Sequence, residues 1–215
     1  MGKKLFRAIK YIFEGILDIV YPLEENCVIC KRDGFIGLCP SCKAKIKRAE
    51  VGEDNISYGF YGGILKELIL KFKYGSNFTC GSILSQFLLE VINENNIEAD
   101  FICYVPMTKA SKRKRGFNQC EIIANKISCE TNIPVYHCIK KIKDTKEQKS
   151  LNKEQRSENL NGAFSIDESK NISGKNILLI DDVITTGATI NECKKILKKY
   201  NVNKIIVLTL AKSNI

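Results

Sequence analysis

No run of the 215-residue sequence approaches the roughly 18 apolar residues that a membrane-spanning helix needs. The first segment, residues 4–20, is apolar but broken by Arg7, Lys10, Glu14 and Asp18, and it lacks a small-residue cleavage site. A secretory signal is therefore not expected. The cytosol is the expected compartment, with a peripheral place at the inner face of the membrane as the alternative. Thiols stay reduced there, so the ten cysteines do not read as a disulfide framework. Histidine is nearly missing: His137 stands alone in a strand-like run, has no second imidazole to work with, and reads as structural. Internal repeats and low-complexity segments are absent. So is a GxxxxGK-Ser/Thr loop, which excludes a P-loop nucleotidase. Acidic residues are outnumbered, 24 Asp plus Glu against 34 Lys plus Arg, for a net charge of +10. That balance favours polyanionic partners: nucleic acid, phosphorylated metabolites or an anionic membrane surface.

At roughly 150 residues per domain the chain corresponds to about 1.4 domains, long enough to bury a core without staples. The expected division is a small module over residues 1–50 and a main domain over 51–215. Leu5, Ile9, Ile12, Phe13, Ile16 and Val20 recur at helical spacing, so residues 4–20 read as an amphipathic helix. Helical patterns recur at 64–74, 81–93, 118–130 and 188–200. Short apolar runs at 57–63, 101–105, 135–142, 177–180 and 204–210 read as strands, and 144–161 as a polar loop. Strands alternating with helices predict an α/β fold, a parallel sheet flanked by helices on both faces.

Cys27-x2-Cys30-x8-Cys39-x2-Cys42 is the first chemical signal. Each CxxC turn places two thiolates on one side of a tight loop, and two such turns supply four sulfurs to a tetrahedral ion. Zn2+ fits best, and four protein ligands leave no open position, so the ion would be structural. The other six cysteines read as small buried hydrophobes.

The second signal begins at Ile177. A buried strand ends in Asp181 and Asp182, and Val183 and Ile184 lead to Thr185-Thr186-Gly187-Ala188-Thr189 and a helix. Adjacent acids at a strand's carboxyl end are costly unless they meet hydroxyls or a cation. Small residues and hydroxyls before a helix N-terminus make a phosphate cradle. Diol-binding acids followed by that cradle describe a ribose 5-phosphate site. Between 109 and 115, Lys109, Lys112, Arg113, Lys114 and Arg115 put five cations behind the strand that ends at Pro106, where a polyphosphate would be stabilised.

The stretch from Ile177 to Thr189 resembles the phosphoribosyl-pyrophosphate (PRPP) motif of type I phosphoribosyltransferases. Val105-Pro106 followed by Arg113-Lys-Arg-Gly-Phe-Asn-Gln119 resembles the "VP…R.RGFNQ" signature of the ComF family. Gln148, Leu151, Arg156, Asn159 and Gly162-Ala-Phe164 resemble that family's "Q..L…R..N..GAF" segment, and Lys71-Phe-Lys-Tyr-Gly75 its "LKY.G" element. The four-cysteine module ahead of them is the family's arrangement too. The resemblance covers nearly the whole chain and implies a type I phosphoribosyltransferase-like fold. It implies that Asp181 and Asp182 hold the ribose diol, with Val183, Thr185, Thr186, Gly187, Ala188 and Thr189 around the phosphate. It further implies that Lys112, Arg113 and Arg115 face the pyrophosphate of PRPP, that Mg2+ accompanies PRPP, and that residues 144–160 form a hood carrying Arg156. The implied role is handling of single-stranded DNA during uptake in natural transformation, beside a competence helicase. The alternative is an active Mg2+-dependent phosphoribosyltransferase of unknown acceptor, although the sequence offers no clear general base.

Overall fold

A computed structural model describes residues 25–143, 160–167 and 171–213. The expected helix over 4–20 and nearly all of the hood, Arg156 included, lie outside the described residues. In chain order the elements are α1 (Pro40–Lys43), β1 (Asn55–Phe60), α2 (Gly63–Gly75), α3 (Phe78–Glu94), β2 (Phe101–Tyr104), α4 (Lys109–Arg115) and α5 (Gln119–Thr131). They continue as β3 (Ile139–Lys141), β4 (Phe164–Ile166), β5 (Asn176–Ile184), α6 (Ala188–Lys198) and β6 (Lys204–Lys212). Strands β1, β6, β5 and β2 lie side by side in that order, all parallel, and β3 and β4 form a separate antiparallel ribbon.

The unbroken apolar run of β5 follows from burial on both faces. Leu178 and Ile180, with Ile206 and Leu208 of β6, pack against α2, α3 and α5. Ile177 and Leu179, with Ile205 and Val207, pack against α6 and the β3–β4 ribbon. Side chains alternate between faces along a strand, so each pair of neighbours feeds two cores. On the first face α3 buries Cys80, Leu84, Leu88 and Val91 along one stripe. Gly81 is what lets α3 approach α2, because a Cβ there would lie 2.7 Å from Cε2 of Phe72.

The cysteine-rich segment is part of the same body. Val28 and Ile46 join the core beneath β1, α2 and α3, and Lys43 Nζ meets Glu90 Oε1 of α3 at 2.6 Å. Among the described residues no helix is long and apolar enough to cross a membrane.

Three elements differ from the sequence reading. Strand β5 runs beyond Ile180 to Ile184, because β6 continues to pair with it, Asp181 beside Thr209 and Ile184 beside Lys212. The acidic pair therefore lies within the strand, with Val183 and Ile184 continuing it. The expected strand over 135–142 divides in two. Val135 bridges to Ile102 of β2, where Tyr136 N–H donates to Ile102 O at 2.8 Å, and only Ile139–Lys141 join the ribbon. The basic run, given no element in the sequence reading, is the short helix α4, which Thr108 caps by accepting Ser111 N–H at 3.1 Å.

Candidate functional site

The four module sulfurs lie within 4.8 Å of one another. Local structure brings them there. Val28 N–H donates to Gly37 O at 2.8 Å, closing the first knuckle onto the second, and Cys39 stands at the N-terminus of α1 with Pro40 in its first turn. Cys30 Sγ and Cys39 Sγ are 3.7 Å apart. A tetrahedron with Zn–S bonds of about 2.3 Å has edges of about 3.8 Å, so the donor set has the span of a zinc site. All ten cysteines are free thiols. Burial works against ionising Cys27, but N–H groups of Cys39, Cys30 and Ile29 outweigh it and bring that thiol down to about 6. Burial and the neighbouring thiols push Cys42 up to about 12. Cys27 is ready to be a thiolate and Cys42 resists following. A soft divalent cation removes that conflict, since it binds thiolates and neutralises them together.

The second cluster sits where β5 meets the ends of α2 and α5. Asp181 and Asp182 are both buried. Asp181 Oδ1 accepts the N–H of Asp182 at 2.9 Å and lies 3.8 Å from Cys120 Sγ. Asp182 Oδ2 accepts Gln119 Nε2 at 2.6 Å and forms an ion pair with Lys73 Nζ. Burial, then the charge of Asp182, pushes Asp181 up to about 7. Burial disfavours the Lys73 ammonium, yet Asp182 outweighs it and holds Lys73 above its ordinary value. Burial and both aspartates push the Cys120 thiol well up, so it stays neutral.

Residues 185–189 are half-buried. Gly187 has φ +76°, a left-handed conformation that admits glycine freely, and it directs the chain into α6. Ala188 N–H donates to Thr186 Oγ1 at 3.5 Å. Beyond β2, α4 leaves no side chain buried. Lys109, Lys112, Arg113 and Gly116 line an open groove of about 520 Å³. A cavity of similar size, about 510 Å³, lies at the amino ends of β5 and β6 beside Asn176 and Lys204, away from these groups. We centre the site on the carboxyl edge, where the convergent polar side chains are.

The three cations expected at a pyrophosphate are not equivalent. Arg113 and Lys112 reach the groove, with Lys112 Nζ also 2.7 Å from Glu121 Oε2. Arg115 turns the other way. Its Nη1 donates to Gln119 Oε1 at 2.7 Å, and its guanidinium lies 5.3 Å from the Tyr74 ring centroid. Sequence reasoning missed Lys73 and Gln119 as partners of the acidic pair. Both stand in matched motifs, but nothing in their spacing shows that they meet Asp182.

The model of the phosphoribosyl transferase domain matches residues 96–215. Competence protein F of Haemophilus influenzae is 31% identical, over 87% of this chain and 97% of that protein. The chain belongs to the ComF family. Competence protein ComFC of Streptococcus pneumoniae is 28% identical over 88% of this ComF chain and 81% of its own length. DNA utilization protein YhgH of Escherichia coli K12 is 24% identical over 87% and 90%. The matched domain of this ComF chain begins just before β2 and so includes α4, the acidic pair and the turn into α6. The four-cysteine cluster lies ahead of it.

Proposed function

We propose that the chain binds PRPP, or another ribose 5-phosphate ligand, and acts in the uptake and handling of single-stranded DNA during natural transformation. One observation carries the ligand reading. Two buried carboxylates at the end of β5 are followed, after Val183 and Ile184, by a half-buried Thr-Thr-Gly-Ala-Thr turn whose Gly187 opens α6. In this reading Asp181 and Asp182 accept the ribose hydroxyls, and Val183 and residues 185–189 surround the 5-phosphate with N–H and hydroxyl donors. Lys112 and Arg113 of α4 take the pyrophosphate, whose Mg2+ arrives as part of the ligand. Arg156 belongs to the covering hood. Residues 1–50 are a zinc module and 51–215 the ligand domain, and the zinc serves the fold.

The DNA role rests on the relatives' names, competence protein and DNA utilization protein, on the +10 charge, and on an α4 helix whose three consecutive cations Lys112, Arg113 and Lys114 are exposed. A polyanion held this way is held by counterion release and is sensitive to salt. A second reading, transfer of the phosphoribosyl group to an amine or base nitrogen, is favoured by the match of residues 96–215 to the phosphoribosyl transferase domain.

Calorimetric titration with PRPP and Mg2+ tests the ligand reading. Wild-type protein is expected to bind, and Asp181→Asn/Asp182→Asn to lose binding. A wild type that binds no PRPP refutes it. Single-stranded oligonucleotide binding followed over a salt series tests the second half, and an affinity indifferent to salt refutes the electrostatic account. Pyrophosphate release with added amines or bases decides the transfer reading.

A further inference from the structure

We infer that Lys73, seconded by Gln119, is a positioning residue of the ribose site that holds Asp182 with one oxygen engaged and the other presented to a sugar hydroxyl. This rests on the ligand reading above. The two donors come from different helices, Lys73 from the last turn of α2 and Gln119 from the first residue of α5, and both converge on Oδ2 of Asp182. With Oδ2 doubly engaged, Oδ1 is the oxygen left for a ligand.

The clamp has no freedom to rotate. Arginine only donates and a carboxylate only accepts. Arg115 on Gln119 Oε1 therefore obliges Nε2 to face Asp182. Arg115 also lies over Tyr74, the residue after Lys73. Helices α2, α4 and α5 are thus tied to a single carboxylate oxygen. The ion pair is among the most enclosed in the described protein, its side chains 18% and 11% exposed, so Lys73 is a fixed part of the site and not a surface cation resting on it. Two adjacent buried acids beside one ammonium also carry one net negative charge fewer, which makes it possible to bring a phosphate up to the neighbouring turn.

The test uses the full, zinc-loaded chain and calorimetry with ribose 5-phosphate and its 2-deoxy and 3-deoxy analogues. Wild type is expected to prefer ribose 5-phosphate over each by about tenfold or more, because a site built to bond a hydroxyl rejects the sugar that lacks it. Lys73→Met is expected to cut at least one of these ratios below about threefold, while Lys73→Arg, which keeps the charge, retains most of the preference. A role in folding alone would weaken all three sugars together, so unchanged ratios in Lys73→Met overturn the inference. Tighter binding by Lys73→Met also overturns it, because the ammonium would then be a competitor for Asp182. A wild type that binds none of the sugars, or all alike, refutes the ligand reading instead. Should Lys73→Met fail to fold in a thermal melt, Gln119→Leu carries the same comparison: a narrowed ratio supports the clamp and a full one overturns it.

Discussion

Replacing Asp181 by asparagine should make this protein more stable at pH 8, and the size of the gain should depend on pH in a defined way. Asp181 is buried beside a second carboxylate, and the one ammonium of the cluster sits on Asp182. Its folded value of about 7 stands against about 3.9 in an unfolded chain. The folded state therefore binds the proton more tightly than the unfolded state between those two values. Stability falls as pH rises through that window, and the whole penalty is present above about 7. Three units at about 1.4 kcal/mol each give roughly 4 kcal/mol as an upper figure, of which about 2–3 kcal/mol develops between pH 5 and pH 8. Asparagine keeps the oxygen that accepts the Asp182 N–H and has no charge to bury. For a chain of this length the difference in Tm between variant and wild type should widen by roughly 5–10 °C from pH 5 to pH 8. Thermal melts of both proteins, zinc-loaded and ligand-free, measure it. The zinc-loaded module is the same in both proteins, so its contribution cancels in the difference. Melting curves that move in parallel over this range would refute the reasoning, and would mean that Asp181 is solvated or neutralised in the folded protein.

Two further outcomes follow from the packing. The purified chain should carry one zinc ion per molecule, and Cys39→Ser should lose it together with several kcal/mol of stability, because Cys39 is buried and its Sγ, 3.7 Å from that of Cys30, is one of the four clustered sulfurs; metal analysis beside a thermal melt checks this, and full zinc content in the variant would contradict it. Gly81→Ala should destabilise by about 1–3 kcal/mol in urea unfolding, since the new methyl meets the Phe72 ring at 2.7 Å; intrinsic helix propensity alone predicts a gain of about 1 kcal/mol, so the sign decides which effect governs.

Much of this molecule is legible in its sequence because the signals are local. Cys27 and Cys30 are separated by one turn of chain, as are Cys39 and Cys42, and paired thiols at that spacing have little else to do. The run Ile177–Ile180 is apolar on both of its faces, which only a covered parallel strand requires. Asp181, Asp182 and the turn that follows are contiguous, so their chemistry reads as one unit. Boundaries were less legible. The end of β5 depends on β6, whose Ala211 and Lys212 keep pairing with it, and the helical state of residues 109–115 depends on the Thr108 cap.

Composition, the cysteine spacing, the acidic pair and the motif order were enough by themselves to determine the fold class, the four-sulfur cluster and the candidate ligand class. Each needs only residues that are neighbours along the chain. Only the tertiary structure decided what surrounds Asp182: an ammonium from α2, an amide from α5 and, behind that amide, the one arginine of α4 that turns away from the groove. It also decided that Lys112 is shared with Glu121 while Arg113 faces the groove. Those contacts join elements far apart in sequence, and their partners are set by how three helices pack over one sheet edge, which no periodicity along a single chain records.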